Sequence, residues 1–307
     1  MLPYPQIMNQ FFSKCLATAI ALTVSGSFVR ADAGIIAKGA KLELVSDAFK
    51  FTEGPAVDKK GQVYFTDQPN DRIVKLASDG TLSTYKQPSG RSNGMYFDRK
   101  GNLIACADEK NELWSIAPDG KVSVLLKGFE GKLFNGPNDV WVRPDNGLYF
   151  TDPLYKRPYW KRGDNEQGGQ HVYYLGADRT TLIRVANDLK QPNGIIGTPD
   201  GKTLYVSDLG AGKTYSYSVQ KDGSLLNKIL FCNQGSDGMT VDRKGNVYLT
   251  GKGVTIFNEK GVQIEQIQVP EPWTANVCFG GASRKTLYIT AGKSLYRLHM
   301  NVRGHTK

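Results

Sequence analysis

The sequence predicts an all-β protein, a six-bladed β-propeller of four-stranded antiparallel blades whose last blade is closed by an N-terminal strand. Three observations carry that reading. A phrase made of a polar anchor, a small residue, an apolar run, a turn and a second apolar run occurs six times, opening at Glu53, Asn93, Asn138, Asn193, Asp237 and Asn276. The anchors lie 40, 45, 55, 44 and 39 residues apart, a period built from short strands that marks a propeller. The sixth repeat supplies only three strand-like runs before the chain ends, while a spare run, KLELVSDAF from Lys41, precedes the first anchor.

The elements follow in order. The first repeat offers PAVD, VYFT, RIVKLA and LSTYK, parted by KKGQ, DQPND and SDG. The second offers GMYFD, NLIACA, ELWSIA and KVSVLL. Alternating β-branched and aromatic residues between Gly, Asp and Pro favour strands over helices. Many of the 34 glycines sit in DG, KG or NG pairs, where a tight turn needs positive φ. The sixth repeat gives NVCFG, TLYITA and SLYRLHM, and pairing the last of these with the Lys41 run closes the ring and removes an open sheet edge. No amphipathic helix stands out after the N-terminal segment.

Composition bounds the rest. A chain of 307 residues, 40% hydrophobic and 10% aromatic, suits one large globular domain. The net charge of +10 is spread through turns such as DKKG and DRKG rather than gathered in a block, which reads as a solvated surface and not a nucleic-acid face. Lys14 followed by CLATAIALTVSGSFV and then Val29-Arg30-Ala31 reads as a secretory signal over residues 1–31, cleaved after Ala31 or Ala33. The chain would then be exported, periplasmic or secreted, with no membrane span after cleavage and a single domain over 32–307. Cys15 lacks a Leu-rich lipobox and would leave with the signal. Cys106, Cys232 and Cys278 remain; they are no disulfide framework, although an exported protein permits one bond among them.

Radial repetition brings the six anchors around one axis. Glu53, Asn138, Asn193 and Asp237 would gather two carboxylates and two amide oxygens there. Two anions in a confined site repel, and a divalent cation removes the conflict. All-oxygen ligation favours calcium first, then magnesium or manganese, with zinc less natural in the absence of His or Cys. Turn chemistry offers a competing account of the NG pairs, because Asn tolerates left-handed backbone, but it accounts less well for two acids at equivalent places. Connectivity places the loops after Asp67, Asp108, Asp152 and Asp208 on the same face as the anchors. The longest runs from Pro153 to Gln170 and would set Tyr155, Arg157, Tyr159, Trp160 and Arg162 over or beside the channel mouth as a lid.

FTEGP at 51–55, GPND at 136–139, FTDP at 150–153, QPNG at 191–194, SDGM at 236–239 and LYITAG at 287–292, in this order and spacing, resemble the gluconolactonase/regucalcin-like family of six-bladed calcium-dependent lactonases. The likeness covers about Lys41 to Leu298. It implies Glu53, Asn193 and Asp237 as metal ligands, with Asn138 touching metal or substrate. It further implies Asp237 as general base, hydrolysis of a sugar lactone, and Asn93 and Asn138 as hydrogen-bond partners of sugar hydroxyls. Two places depart from the pattern: Asp108-Glu109-Lys110 stands where many relatives carry a Glu-His pair, and Gly136 where the regucalcin branch carries Arg. Both bear on substrate identity more than on hydrolysis. Among the three histidines only His171 could reach the channel mouth, and a strand or rim position suits it better than a triad; no G-x-S-x-G, phosphate loop or nucleotide fingerprint is present. A binding propeller with a structural calcium, and a propeller esterase or phosphotriesterase, are the competing functional classes.

Overall fold

A computed structural model describes residues 34–163 and 165–305. Six four-stranded antiparallel sheets are arranged as blades of a propeller. Blade 1 runs Thr52–Val57, Val63–Asp67, Arg72–Leu76 and Leu82–Lys86. Blade 2 runs Ser92–Phe97, Leu103–Ala107, Glu112–Ile116 and Val122–Leu126. The inner strands of blades 3 to 6 are Val140–Val142, Pro192–Gly197, Met239–Val241 and Thr274–Gly280. In each blade the inner strand is mostly buried and the outermost one is more exposed, as Thr52–Val57 and Leu82–Lys86 illustrate. The apolar side chains therefore pack between neighbouring blades.

The ring closes as the sequence predicts. Glu43–Ser46 pairs antiparallel with Ser294–His299 and completes the blade that Thr274–Gly280 begins. The chain beyond Met300 turns toward blade 5, where Gly304 bridges Asp242. The signal segment 1–31 and Cys15 lie outside the described residues. Cys106, Cys232 and Cys278 are all buried and free, so no disulfide links them. No helix among the described residues is long and apolar enough to cross a membrane.

Two recurring aspartates explain why the repeats fold alike. Where the inner strand turns into the second, Asp58, Asp98 and Asp242 each accept two backbone N–H groups of the turn, for example Lys60 and Gln62 at 2.9 Å on Asp58. This is why D-[KR]-K-G recurs, a short acidic side chain standing in for a backbone partner. At the other end, the aspartate closing the second strand clamps the chain that enters its own blade. Asp152 accepts from the amides of Asn135 and Gly136 at 2.9 and 2.8 Å, and Asp208 from those of Lys190 and Gln191 at 2.9 and 2.8 Å. Asp67 does the same for Lys50 at 3.0 Å. Asp108, the corresponding residue of blade 2, is used differently.

Candidate active site

The anchors open the inner strands at one mouth of the central channel, and β-bulges lie beside four of the six, those of blades 1, 2, 4 and 6. The inner-strand register slips between Glu53 and Ala56, Ser92 and Met95, Pro192 and Ile195, and Thr274 and Asn276. A bulge re-aims a side chain that regular pleating would direct into the sheet's flank. In blade 1 the bulge requires Gly54: its φ is +47°, and a Cβ there would lie 2.0 Å from the Asn93 carbonyl oxygen. The E-G pair is thus a backbone requirement that delivers a carboxylate.

Glu53 and Asp237 meet at this mouth. Each raises or is held by the other: the Asp237 charge adds to burial in pushing Glu53 well above the usual carboxyl range. Burial likewise raises Asp237, opposed by hydrogen bonds from Trp273, Asn193 and Glu53. Glu53 Oε2 accepts from the Gly54 amide at 2.5 Å and from Asn276 Nδ2 at 3.2 Å. Asn193 Nδ2 donates to Asp237 Oδ1 at 2.9 Å and to Tyr155 Oη at 2.8 Å. Trp273 Nε1 donates to Asp237 Oδ2 at 2.6 Å.

Of the expected site residues, Glu53, Asn193 and Asp237 are thus assembled. Asn93 and Asn138 are buried at the starts of the neighbouring inner strands, tied through the backbone bond from the Gly94 amide to the Asn138 carbonyl at 2.7 Å. Among the described residues, their side chains make no hydrogen bond to the assembled trio. His171 is a buried strand residue facing Asp152 across the ladder, with its ring against the Gln167 carbonyl, so no triad forms.

Sequence reasoning missed two contributors, Asp139 and Trp273. Asp139 is buried, and desolvation pushes it up to about 7; its charge is felt by Glu53. Its signal was the N-D pair within GPND. Trp273 stands directly before the inner strand of blade 6 and carries no repeat signature. Tyr155, expected over or beside the channel mouth, accepts there from Asn193 Nδ2.

The donor set fits a hard divalent cation. Asn193 spends its Nδ2 on Asp237 and Tyr155, leaving a buried Oδ1 with no hydrogen-bond partner beside two clustered carboxyls. Unpaired buried acceptors are uncommon and call for a donor or a cation. No three His, Cys, Asp or Glu side chains are grouped for a metal among the described residues, so the set relies on amide oxygens. A separate cavity of about 360 Å³ occupies the far half of the channel, lined by Met95, Trp141, Ile195 and Phe279, with Asp139 and Asn276 lining it too; Glu53, Asn193 and Asp237 do not line it.

The family model described as the SMP-30/Gluconolactonase/LRE-like region matches residues 51–293. The chain belongs to this family. It is 29% identical over 295 residues to a gluconolactonase of Zymomonas mobilis, covering 86% of this chain and 82% of that one. A solved gluconolactonase from Xanthomonas campestris superposes with a TM-score of 0.82 at 29% identity, over 87% of this chain and 92% of the other. Regucalcin of Agrobacterium tumefaciens, described as a calcium-binding protein, shares the fold with a TM-score of 0.73 at 18% identity, over 87% and 96%.

The loop 153–169 is the element in which this family member departs from its own repeat. Asp108, freed from clamping an entry segment, accepts from Arg157 Nε at 2.7 Å and from Tyr159 Oη at 2.8 Å. Its carbonyl accepts from Trp160 Nε1 at 2.9 Å. Gly136 leaves the room: a Cβ there would lie 2.7 Å from Asp108 Oδ1 and 3.0 Å from the Trp160 ring. The two departures noted in the sequence therefore serve one purpose, seating the loop.

Proposed function

We propose that this protein is a metal-dependent hydrolase that opens a sugar lactone to its aldonic acid. The observation that carries the reading is the buried Glu53–Asp237 pair set against the unpartnered Oδ1 of Asn193. Glu53, Asn193 and Asp237 would hold the cation, with Asn138 as a further oxygen, and calcium is the first choice for such a set. When bound, the cation would neutralise the paired acids and supply Lewis acidity to the lactone carbonyl.

The protein's own groups do the remainder. Asp237 is the general base: Trp273 and Asn193 fix its two oxygens, and their hydrogen bonds favour the ionised form that burial opposes. Asp237 takes a proton from the attacking water as the water oxygen bonds to the acyl carbon. The acyl–oxygen bond of the ring then breaks, and that proton passes to the departing ring oxygen. Asn93 and Asn138, buried at the rim, are suited to the sugar hydroxyls; the free Oδ1 of Asn93 is an acceptor with no protein donor. The gluconolactonase names of relatives at 29% identity support the substrate class. Export through residues 1–31 belongs to the same proposal.

Proton release from glucono-δ-lactone, followed with calcium and with a chelator, tests the reading. Turnover lost on chelation and regained with calcium is the expected result. Tight calcium binding without turnover on any lactone or ester would instead mark a binding propeller.

A further inference from the structure

We propose that Tyr155 is a catalytic residue, its phenolic O–H donating a hydrogen bond to the lactone carbonyl oxygen as charge develops there. The proposal rests on the lactonase reading and adds to it a donor carried by the loop rather than by the blades.

The hydrogen-bond inventory directs the phenol inward. A tyrosine hydroxyl has one proton to give and two lone pairs. Asn193 Nδ2 donates to one lone pair at 2.8 Å, which fixes the oxygen beside the assembled trio and leaves its proton to be given. No acceptor among the described residues takes that proton. The hydroxyl therefore stands one hydrogen bond from Asn193, and two from the Asp237 carboxylate, with its donor unspent.

The ring is held by a chain of contacts that begins in blade 2. Asp108, buried, pairs with Arg157 at 2.7 Å, and the Arg157 guanidinium lies 5.6 Å from the centre of the Tyr155 ring. Tyr159 and Trp160 close on the same Asp108, and the bare Gly136 admits them. A loop secured at this many points positions a donor before substrate arrives, which is what oxyanion stabilisation demands. Tyr155 itself is half-buried, so its hydroxyl can meet a ligand entering the mouth. The tyrosine keeps its proton throughout; it gives a hydrogen bond, and the balance of water addition and ring opening is unchanged.

Tyr155→Phe tests the assignment while keeping the ring beneath Arg157. With calcium and glucono-δ-lactone, kcat is expected to fall about 10²–10³-fold, as for loss of an oxyanion donor, with KM changed less than about threefold. Calcium affinity by calorimetry and the rate of trypsin cleavage within the loop should match the unaltered protein. A kcat within about twofold of the unaltered protein overturns the proposal, as does a loss explained by weaker calcium binding. If the unaltered protein turns over no lactone, the hydrolase reading fails separately. Binding of the non-hydrolysable gluconolactam then reads the tyrosine: affinity about tenfold weaker in Tyr155→Phe supports the contact, and equal affinity overturns it.

Discussion

Trp273 Nε1 donates to Asp237 Oδ2 across 2.6 Å. Asn193 holds the other carboxylate oxygen at 2.9 Å, so this acid is oriented by two neutral donors from different blades. Replacing Asp237 with Asn keeps the shape and removes the base. General-base catalysis contributes about 10²–10⁴, and Asp237→Asn should lose turnover by that factor or more, read by proton release. The same change removes one of two repelling carboxyls but turns an amide N–H toward one of the two donors, so the metal-free variant should remain folded with a melting temperature within a few degrees of the metal-free unaltered protein. A variant that retains full turnover would exclude Asp237 as the base.

The indole has a separate signature. Its hydrogen bond lowers the Asp237 pKa against burial, and hydrogen bonds to charged groups contribute about 1.5–3 kcal/mol. Trp273→Phe removes it, so the Asp237 pKa rises and a base that must be ionised fails at higher pH. The acidic limb of the kcat/KM profile should move up by about one to two pH units. A limb that stays in place would show that Trp273 only fills space.

Metal and pH should act on stability together. Burial pushes Asp139 and Asp152 up to about 7 and Glu53 well above its usual range. A carboxyl raised in this way binds its proton more tightly folded than unfolded. Its contribution is therefore fully present below the unfolded value of about 4 and is lost as pH rises through the folded one. The chelated protein should lose melting temperature between about pH 4 and pH 7 as Asp139 and Asp152 titrate, and Glu53, raised too, adds to the loss in the same direction. Calcium competes with protons at Glu53 and Asp237, so its stabilisation should be larger near pH 7.5 than near pH 5. A hundredfold excess over Kd corresponds to about 2.7 kcal/mol. Calorimetry with and without chelator at the two pH values checks both signs.

The fold was legible because the blades repeat one strand–turn–strand pattern, and three of them share the same turn chemistry. Asp58, Asp98 and Asp242 write the far turns, and Gly54 writes the bulge that presents Glu53. The spare Lys41 run announced the closure that Glu43–Ser46 provides. The assembled trio was legible for the same reason, each member opening a repeat. Trp273 was not, because it comes from a connecting segment, where no period fixes a residue's place around the axis; for the same reason Tyr155 was expected at the mouth without its partner Asn193. Asp139 was hidden in another way: a residue next to an anchor in a strand is expected on the opposite face, and short strand Val140–Val142 begins only after it.

Gly54 offers a test of backbone against side chain. Its left-handed φ of +47° and the 2.0 Å approach to the Asn93 carbonyl leave no room for a methyl group. Gly54→Ala combines the conformational cost of about 1–2 kcal/mol with a clash against backbone that cannot swing aside. The variant should melt several degrees lower. Calcium binding should weaken more than for an equally destabilised variant far from the axis, because Glu53 loses both its aim and the Gly54 amide. Comparison with Gly101→Ala, a far-face turn glycine with φ +88° and open space at its Cβ, separates the two effects. Equal calcium affinity in both would mean the bulge does not aim Glu53.

Asp108 gives the last prediction, since it links blade 2 to the loop through Arg157, Tyr159 and Trp160. Asp108→Asn removes the charge that holds Arg157, whose side chain is about a quarter exposed, 23%. That exposure discounts the loss to about 1–2 kcal/mol, well below the figure for a fully buried pair. The loss falls on the loop and not on the blades, which keep their own clamps at Asp67, Asp152 and Asp208. Opening of the loop should then rise about 5–30-fold, and trypsin should cut after Lys161 or Arg162 faster by a similar factor, with the global melting temperature changed little. Because the loop carries Tyr155 to Asn193, kcat/KM should fall as well, and calcium affinity should not. Unchanged proteolysis in a folded Asp108→Asn variant would mean that Trp160 in the Gly136 recess seats the loop without the ion pair.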